Sequence, residues 1–128
     1  MIEILEGFPE DVVAFVAKGR VTKSDYDDVL VPKVEEALAR REKLRCYYEL
    51  GAEFSGIDAG AVWEDFKIGI EHLTRWERVA VVTDVEWIRL AANLFRFLFP
   101  GEVRVFAAGE AAEARRWIAA REGTLAES

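Results

Sequence analysis

The chain has 128 residues, 52% hydrophobic and 32% charged, a balance that buries one sizeable core and excludes a disordered chain. Its formal net charge of −7 argues against a nucleic-acid surface, which needs a basic face to displace counterions from phosphate. The single cysteine, Cys46, excludes an internal disulfide and a cysteine-built zinc site.

The opening MIEILEGFPED is neither basic nor continuously apolar, and no apolar run reaches the ~18 residues that a membrane span needs. A cytoplasmic protein is expected, with membrane contact peripheral at most. In chain order, residues 2–5 and 12–17 read as strands rich in Val, Ile and Phe, joined at Gly7 and Pro9 into a hairpin. Thr22 and Asp25 have capping-box spacing, so a helix starts there, and Tyr26, Val29, Leu30, Val34, Ala37 and Leu38 follow at helical intervals. Pro32 lies inside that run, where it removes a donor and clashes with the carbonyl of Asp28; a kink or two abutting helices are expected. Leu44 to Leu50 alternates as a strand, GAEFSG reads as a loop with Ser55 in a turn, and a helix from Asp58 to about Leu73 presents Val62, Trp63, Phe66, Ile70 and Leu73 on one face. Asp58 is read as its cap.

Residues 78–83 contain VAVV, a run suited to a central strand buried on both sides, with Trp76 in the turn before it. Asp84 is positioned to cap the next helix, Pro100 and Gly101 end it, and residues 103–107 form the last strand. A helix over 110–121, with Ala114, Trp117 and Ile118 inward, closes the domain. The expected architecture is a single α/β domain over residues 1–122 with a largely parallel sheet of four or five strands, an N-terminal hairpin and about four helices; residues 123–128 form a flexible tail.

The helix over 85–99 carries more hydrocarbon than one sheet face covers. On a wheel of about 100° per residue, Glu86, Arg89, Asn93 and Arg96 share an arc of roughly 80°, and the apolar residues spread over roughly 220°, where sheet packing needs a stripe of ~100° or somewhat more. Ile88, Ala91, Ala92, Phe95 and Phe99 can lie on the sheet, which leaves Trp87, Leu90, Leu94 and Phe97 over. A neighbouring helix, a second copy of the chain in a homodimer, or a lipid or membrane surface could cover them, the last with Arg89 and Arg96 meeting head groups.

The patterns GxxxGAxWED over Gly56 to Asp65, a helix ending in His72, ERxAVV from Glu77, and TxxDY over Thr22 to Tyr26 together resemble the STAS/SpoIIAA-like proteins of bacteria, in their small stand-alone branch. The resemblance spans nearly the whole chain. It implies a sheet of four or five strands with helices around it, a fold similar to lipid-carrying domains of the CRAL-TRIO kind. In the anti-sigma antagonists of the wider family, a serine in an (M/I)-D-S-S-G turn is phosphorylated to release a partner; here that turn reads Ile57, Asp58, Ala59, Gly60, without the hydroxyl.

No catalytic constellation emerges. Ser55, His72 and Asp84 can be written as a triad, but there is no nucleophile elbow, and the only histidine sits near a helix end. No metal site is expected from His72, Glu71, Glu77 and Asp65, and no cofactor is implied because the glycines form no phosphate cradle. The expected function is a non-enzymatic binding module for a hydrophobic ligand or membrane surface, with Trp63, Phe66, Trp87, Leu90, Leu94 and Phe97 as the site and Arg89, Arg96 and Asp58 as head-group or partner contacts. The alternative is a regulatory module related to anti-sigma antagonists, binding through residues 55–60.

Overall fold

The computed structural model describes residues 1–121, so the tail expected over 123–128 lies outside the described residues. Five strands form one sheet in the order β1-β2-β3-β4-β5: β1 Ile2–Ile4, β2 Val12–Val21, β3 Leu44–Ile57, β4 Trp76–Thr83 and β5 Glu102–Phe106. The β1–β2 hairpin is antiparallel, with Gly7 supplying a left-handed φ of 88° in its connection, and every other pair is parallel. The expected α/β class and hairpin are both present.

Period-two alternation divides the sheet into two apolar faces. Phe15, Leu44, Tyr48 and Val103 point to a layer made by α2 (Val31–Arg40), α3 (Ala59–Glu71) and α4 (Glu86–Phe95). Val12, Tyr47, Ala80, Val82 and Phe106 point to α5 (Ala111–Ala119), where Ala114 and Ile118 are fully buried and Trp117 packs on Phe106. Arg45 and Tyr47, which read as the polar side of their strand, are buried under α5.

The first helical run starts where the sequence places it. Thr22 Oγ1 accepts from Asp25 N–H at 3.3 Å, and Asp25 Oδ2 accepts from Thr22 N–H at 2.8 Å, closing the reciprocal cap of α1 (Lys23–Asp25). Thr22→Ala should lower stability by ~1 kcal/mol in a urea titration. Two helical elements abut ahead of Pro32: Tyr26–Leu30 widen into a π turn, with Val31 N–H donating to Tyr26 O, and the backbone stays helical into α2. The wider turn accommodates the proline, which sits in the first turn of α2, where a donor is dispensable.

Three expectations fail for local reasons. GAEFSG is strand, because β2 runs on to Val21 and pairs Gly19, Arg20 and Val21 with Phe54, Gly56 and Ile57; Ser55 is therefore an exposed strand residue. Asp58 does occupy the position before α3, but its Oδ1 accepts from Arg20 Nε at 2.6 Å and makes no cap bond. Asp84 likewise leaves α4 uncapped, its Oδ1 instead accepting from Ala108 N–H at 3.0 Å, while Thr83 Oγ1 accepts from Val85 N–H.

Candidate functional site

On the α2–α3–α4 side the helices do not close onto the sheet. In α3 the buried residues are Ala61 and Ile68, whereas Val62, Trp63, Phe66 and Ile70, expected to share one face, are exposed. No residue of α4 is buried at all. Val79 and Val81 of the interior strand β4 should be sealed if the layer packed normally, yet both stay partly accessible, while Ala80 and Val82 on the opposite face are fully buried.

The gap is a cavity of about 560 Å³. Cys46 and Tyr48 of β3 with Val79 and Val81 of β4 form its floor, and Ile88, Ala91 and Phe95 of α4 line it from above. Helix α4 is held at its ends. Arg89 Nη1 donates to Thr83 O at 2.8 Å near the start; beyond the end, Phe99 is buried and stacks on Phe95 at 5.5 Å. Gly101 follows, where a Cβ would meet the carbonyls of Glu77 and Trp76 at 2.7 Å, and Phe95 approaches α3 at Gly69.

One polar cluster enters this apolar enclosure. The Tyr26 hydroxyl donates to Asp65 Oδ1 at 3.0 Å and lies 2.9 Å from the Tyr48 hydroxyl. Each phenol has one hydrogen, so with Tyr26 donating to Asp65, Tyr48 donates to Tyr26, giving a chain that ends on the carboxyl. Asp65 lines the cavity and keeps accessible surface of its own. Desolvation holds its pKa above the ordinary carboxylate value, against the hydrogen bond from Tyr26, which lowers it. Burial also pushes Tyr26, Tyr48 and Cys46 well up, so all three stay neutral at ordinary pH. Trp76, expected in a turn, opens β4 as part of the core and lines the cavity; its indole Nε1 is buried with no partner among the described residues.

The surface expected to bind is divided between rim and exterior. Trp63, Phe66 and Trp87 line the cavity and are also exposed, whereas Leu90, Leu94 and Phe97 are 63%, 60% and 84% exposed and point away from it. Of the expected sheet-facing side of the fourth helix, Phe99 is buried in the core on the sheet and Ile88 and Phe95 pack partly buried against that core, while all five residues, Ala91 and Ala92 included, line the cavity. Of the expected head-group contacts, Arg89 is turned back to Thr83, Asp58 is tied to Arg20, and Arg96 is exposed with only a 3.3 Å bond to Asn93. Ser55 and His72 flank opposite ends of α3, about 20 Å apart along its axis, so they do not meet in a triad.

Sequence reasoning missed Tyr26, Tyr48 and Asp65 as a unit. The available signal was spacing: Ala61, Asp65 and Ile68 fall on one stripe of α3, which makes Asp65 an acid at an inward position. TxxDY and WED, two patterns far apart in the chain, meet at the bond between Tyr26 and Asp65.

A fold of one antiparallel and three parallel pairings with helices on both faces is that of the SpoIIAA-like proteins, and the chain belongs to that family, whose model matches residues 12–119. It is similar to the crystal structure of an uncharacterised protein of the DUF3478 family with a SpoIIAA-like fold from Shewanella loihica PV-4, at 28% identity and a TM-score of 0.74, covering 91% of this chain and 93% of that one. No curated protein matches the chain. Among the described residues no helix is long and apolar enough to cross a membrane.

Proposed function

We propose that the protein is a non-catalytic carrier of a hydrophobic small molecule, taken up between the sheet and α4. The observation that carries this reading is the open floor: Val79 and Val81 lie on β4, an interior strand with a neighbour on each side, yet both stay partly accessible beneath the helix layer. A packed domain does not leave such a surface uncovered without cost, because each 100 Å² of apolar wall left wet forgoes about 2.5 kcal/mol. The volume falls within the ~300–1,000 Å³ typical of ligand pockets, and the lining is predominantly apolar with a few polar groups.

The outer face of α4 supports a second part of the same reading. Leu90, Leu94, Phe97 and Leu98 form a greasy exterior next to the cavity mouth, suited to touching a membrane while the ligand transfers. With a net charge of −7 and Arg89 already committed, a zwitterionic bilayer is the better partner.

Organic extraction of the purified protein followed by mass spectrometry should release an apolar compound, and the emptied protein should take up a neutral fluorescent apolar probe. The absence of both release and uptake would overturn the carrier reading. In flotation with phosphatidylcholine vesicles, the Leu94→Glu, Phe97→Glu double variant should lose binding about tenfold or more, while probe uptake stays unchanged.

A further inference from the structure

We infer that the cavity's occupant is an amphiphile whose apolar body carries a protonated amine, held by Asp65 at the end of the Tyr48–Tyr26 hydrogen-bond chain. The inference rests on the carrier reading and adds the chemistry of the head group.

Counting donors and acceptors in the wall leads to it. The cavity lining contains no Lys, Arg or His among the described residues, so nothing there neutralises a carboxylate or phosphate head. Both phenolic hydrogens are consumed within the chain, Tyr48 to Tyr26 and Tyr26 to Asp65 Oδ1. Cys46 offers only a weak thiol donor, and the indoles of Trp63, Trp76 and Trp87 border the cavity as neutral N–H donors, that of Trp76 buried without a partner among the described residues. The lining group that can carry charge is Asp65, whose Oδ2 has no hydrogen-bond partner among the described residues and is an acceptor when ionised. An acceptor that can carry a negative charge inside an apolar chamber is matched best by a cationic donor, since the charge-assisted bond supplies what desolvation removed. A fatty acid or phospholipid would place negative charge beside negative charge.

The same geometry couples binding to pH. Desolvation holds the Asp65 carboxyl above its ordinary value, so an ammonium ligand must find it deprotonated or displace its proton. The other titratable groups facing Asp65, which are Tyr26 from the π turn and Tyr48 and Cys46 from β3, remain neutral, and α4 contributes no charged group to the lining. Amine affinity should therefore climb as pH rises through the Asp65 pKa and then level off.

Dodecylamine, dodecanol and dodecanoic acid, compared below their micellar limits by tryptophan fluorescence and calorimetry, test the inference. Wild type should bind dodecylamine about ten- to a hundredfold more tightly than dodecanoic acid, with dodecanol between them and insensitive to pH. Asp65→Asn should lose the amine preference and its pH dependence but keep dodecanol. If dodecanol binds and the amine shows no advantage over the acid in wild type, the amine inference is overturned and the carrier reading stands. Should none of the three bind, both fall. The wild-type ranking decides the matter even if the variant misfolds.

Discussion

Enlarging Val79 and Val81 together to phenylalanine should leave the urea midpoint unchanged or higher and weaken an apolar probe's binding by about a hundredfold. In a close-packed core, two such enlargements on a central strand would force side chains off their rotamers at ~1–3 kcal/mol each. Here the two valines face the open floor beneath α4, so the added rings have somewhere to go and gain burial as they fill it. They also take space from the ligand. Losing contact with about 100 Å² of apolar wall costs ~2.5 kcal/mol, close to two decades in affinity. The signature is the opposite movement of two readouts, stability by urea titration and affinity by probe fluorescence. A strongly destabilised variant that still bound the probe normally would show that the ligand lies elsewhere.

Arg45→Ala is expected to be among the most damaging single substitutions away from the cavity, lowering stability by ~3–5 kcal/mol. Arg45 is 4% exposed, on the side of β3 that faces α5. Its Nε donates to Glu77 Oε1 at 2.6 Å, and its Nη1 donates to the carbonyls of Ile118 and Ala120. Those carbonyls belong to the end of α5, where among the described residues no backbone N–H reaches them, and a buried cation there meets both their hydrogen-bonding need and the negative end of the helix dipole. Arg78, paired with Arg45 across the β3–β4 ladder, donates to Trp117 O, which also accepts from Ala120 N–H, while bonding Glu102. Removing Arg45 takes the side-chain donor from two carbonyls at once and frees α5 to fray from the sheet. Chemical denaturation measures the loss, and Arg45→Lys, which keeps the charge but not the fork, should fall between the two. Probe binding at low denaturant should survive, since the cavity is on the other face of the sheet.

The architecture was legible because its signals are local: the Val- and Ile-rich strands, the reciprocal pair at Thr22 and Asp25, and the Pro100–Gly101 stop each state their own conformation. The excess of hydrocarbon on α4 was legible too, and Leu90, Leu94 and Phe97 are exposed as an unaccommodated face requires. What could not be read was how far α4 stands from the sheet. A wheel assigns a direction to Ile88, Ala91 and Phe95 but not a distance, and the cavity arises from that distance. In α3 side-chain size drew notice to Trp63 and Phe66, which do border the cavity, while the neighbouring stripe of Ala61, Asp65 and Ile68 went unread because it is built from a small residue and an acid. The β3 extension escaped notice since its glycines mimic a loop, and its partner residues in β2 lie more than thirty positions away.

The wide turn at Tyr26–Leu30 has a consequence for where the phenol ends up. Tyr26, Leu30, Val34 and Leu38, all buried, recur every fourth residue, and in an ordinary helix each such step overshoots a full rotation by about 40°. Three steps would swing the first residue about a third of the way around the axis from the last. Local underwinding winds part of that drift back, so the run keeps one face turned inward along its length. The π turn ahead of Pro32 thus sets the azimuth at which Tyr26 reaches Asp65.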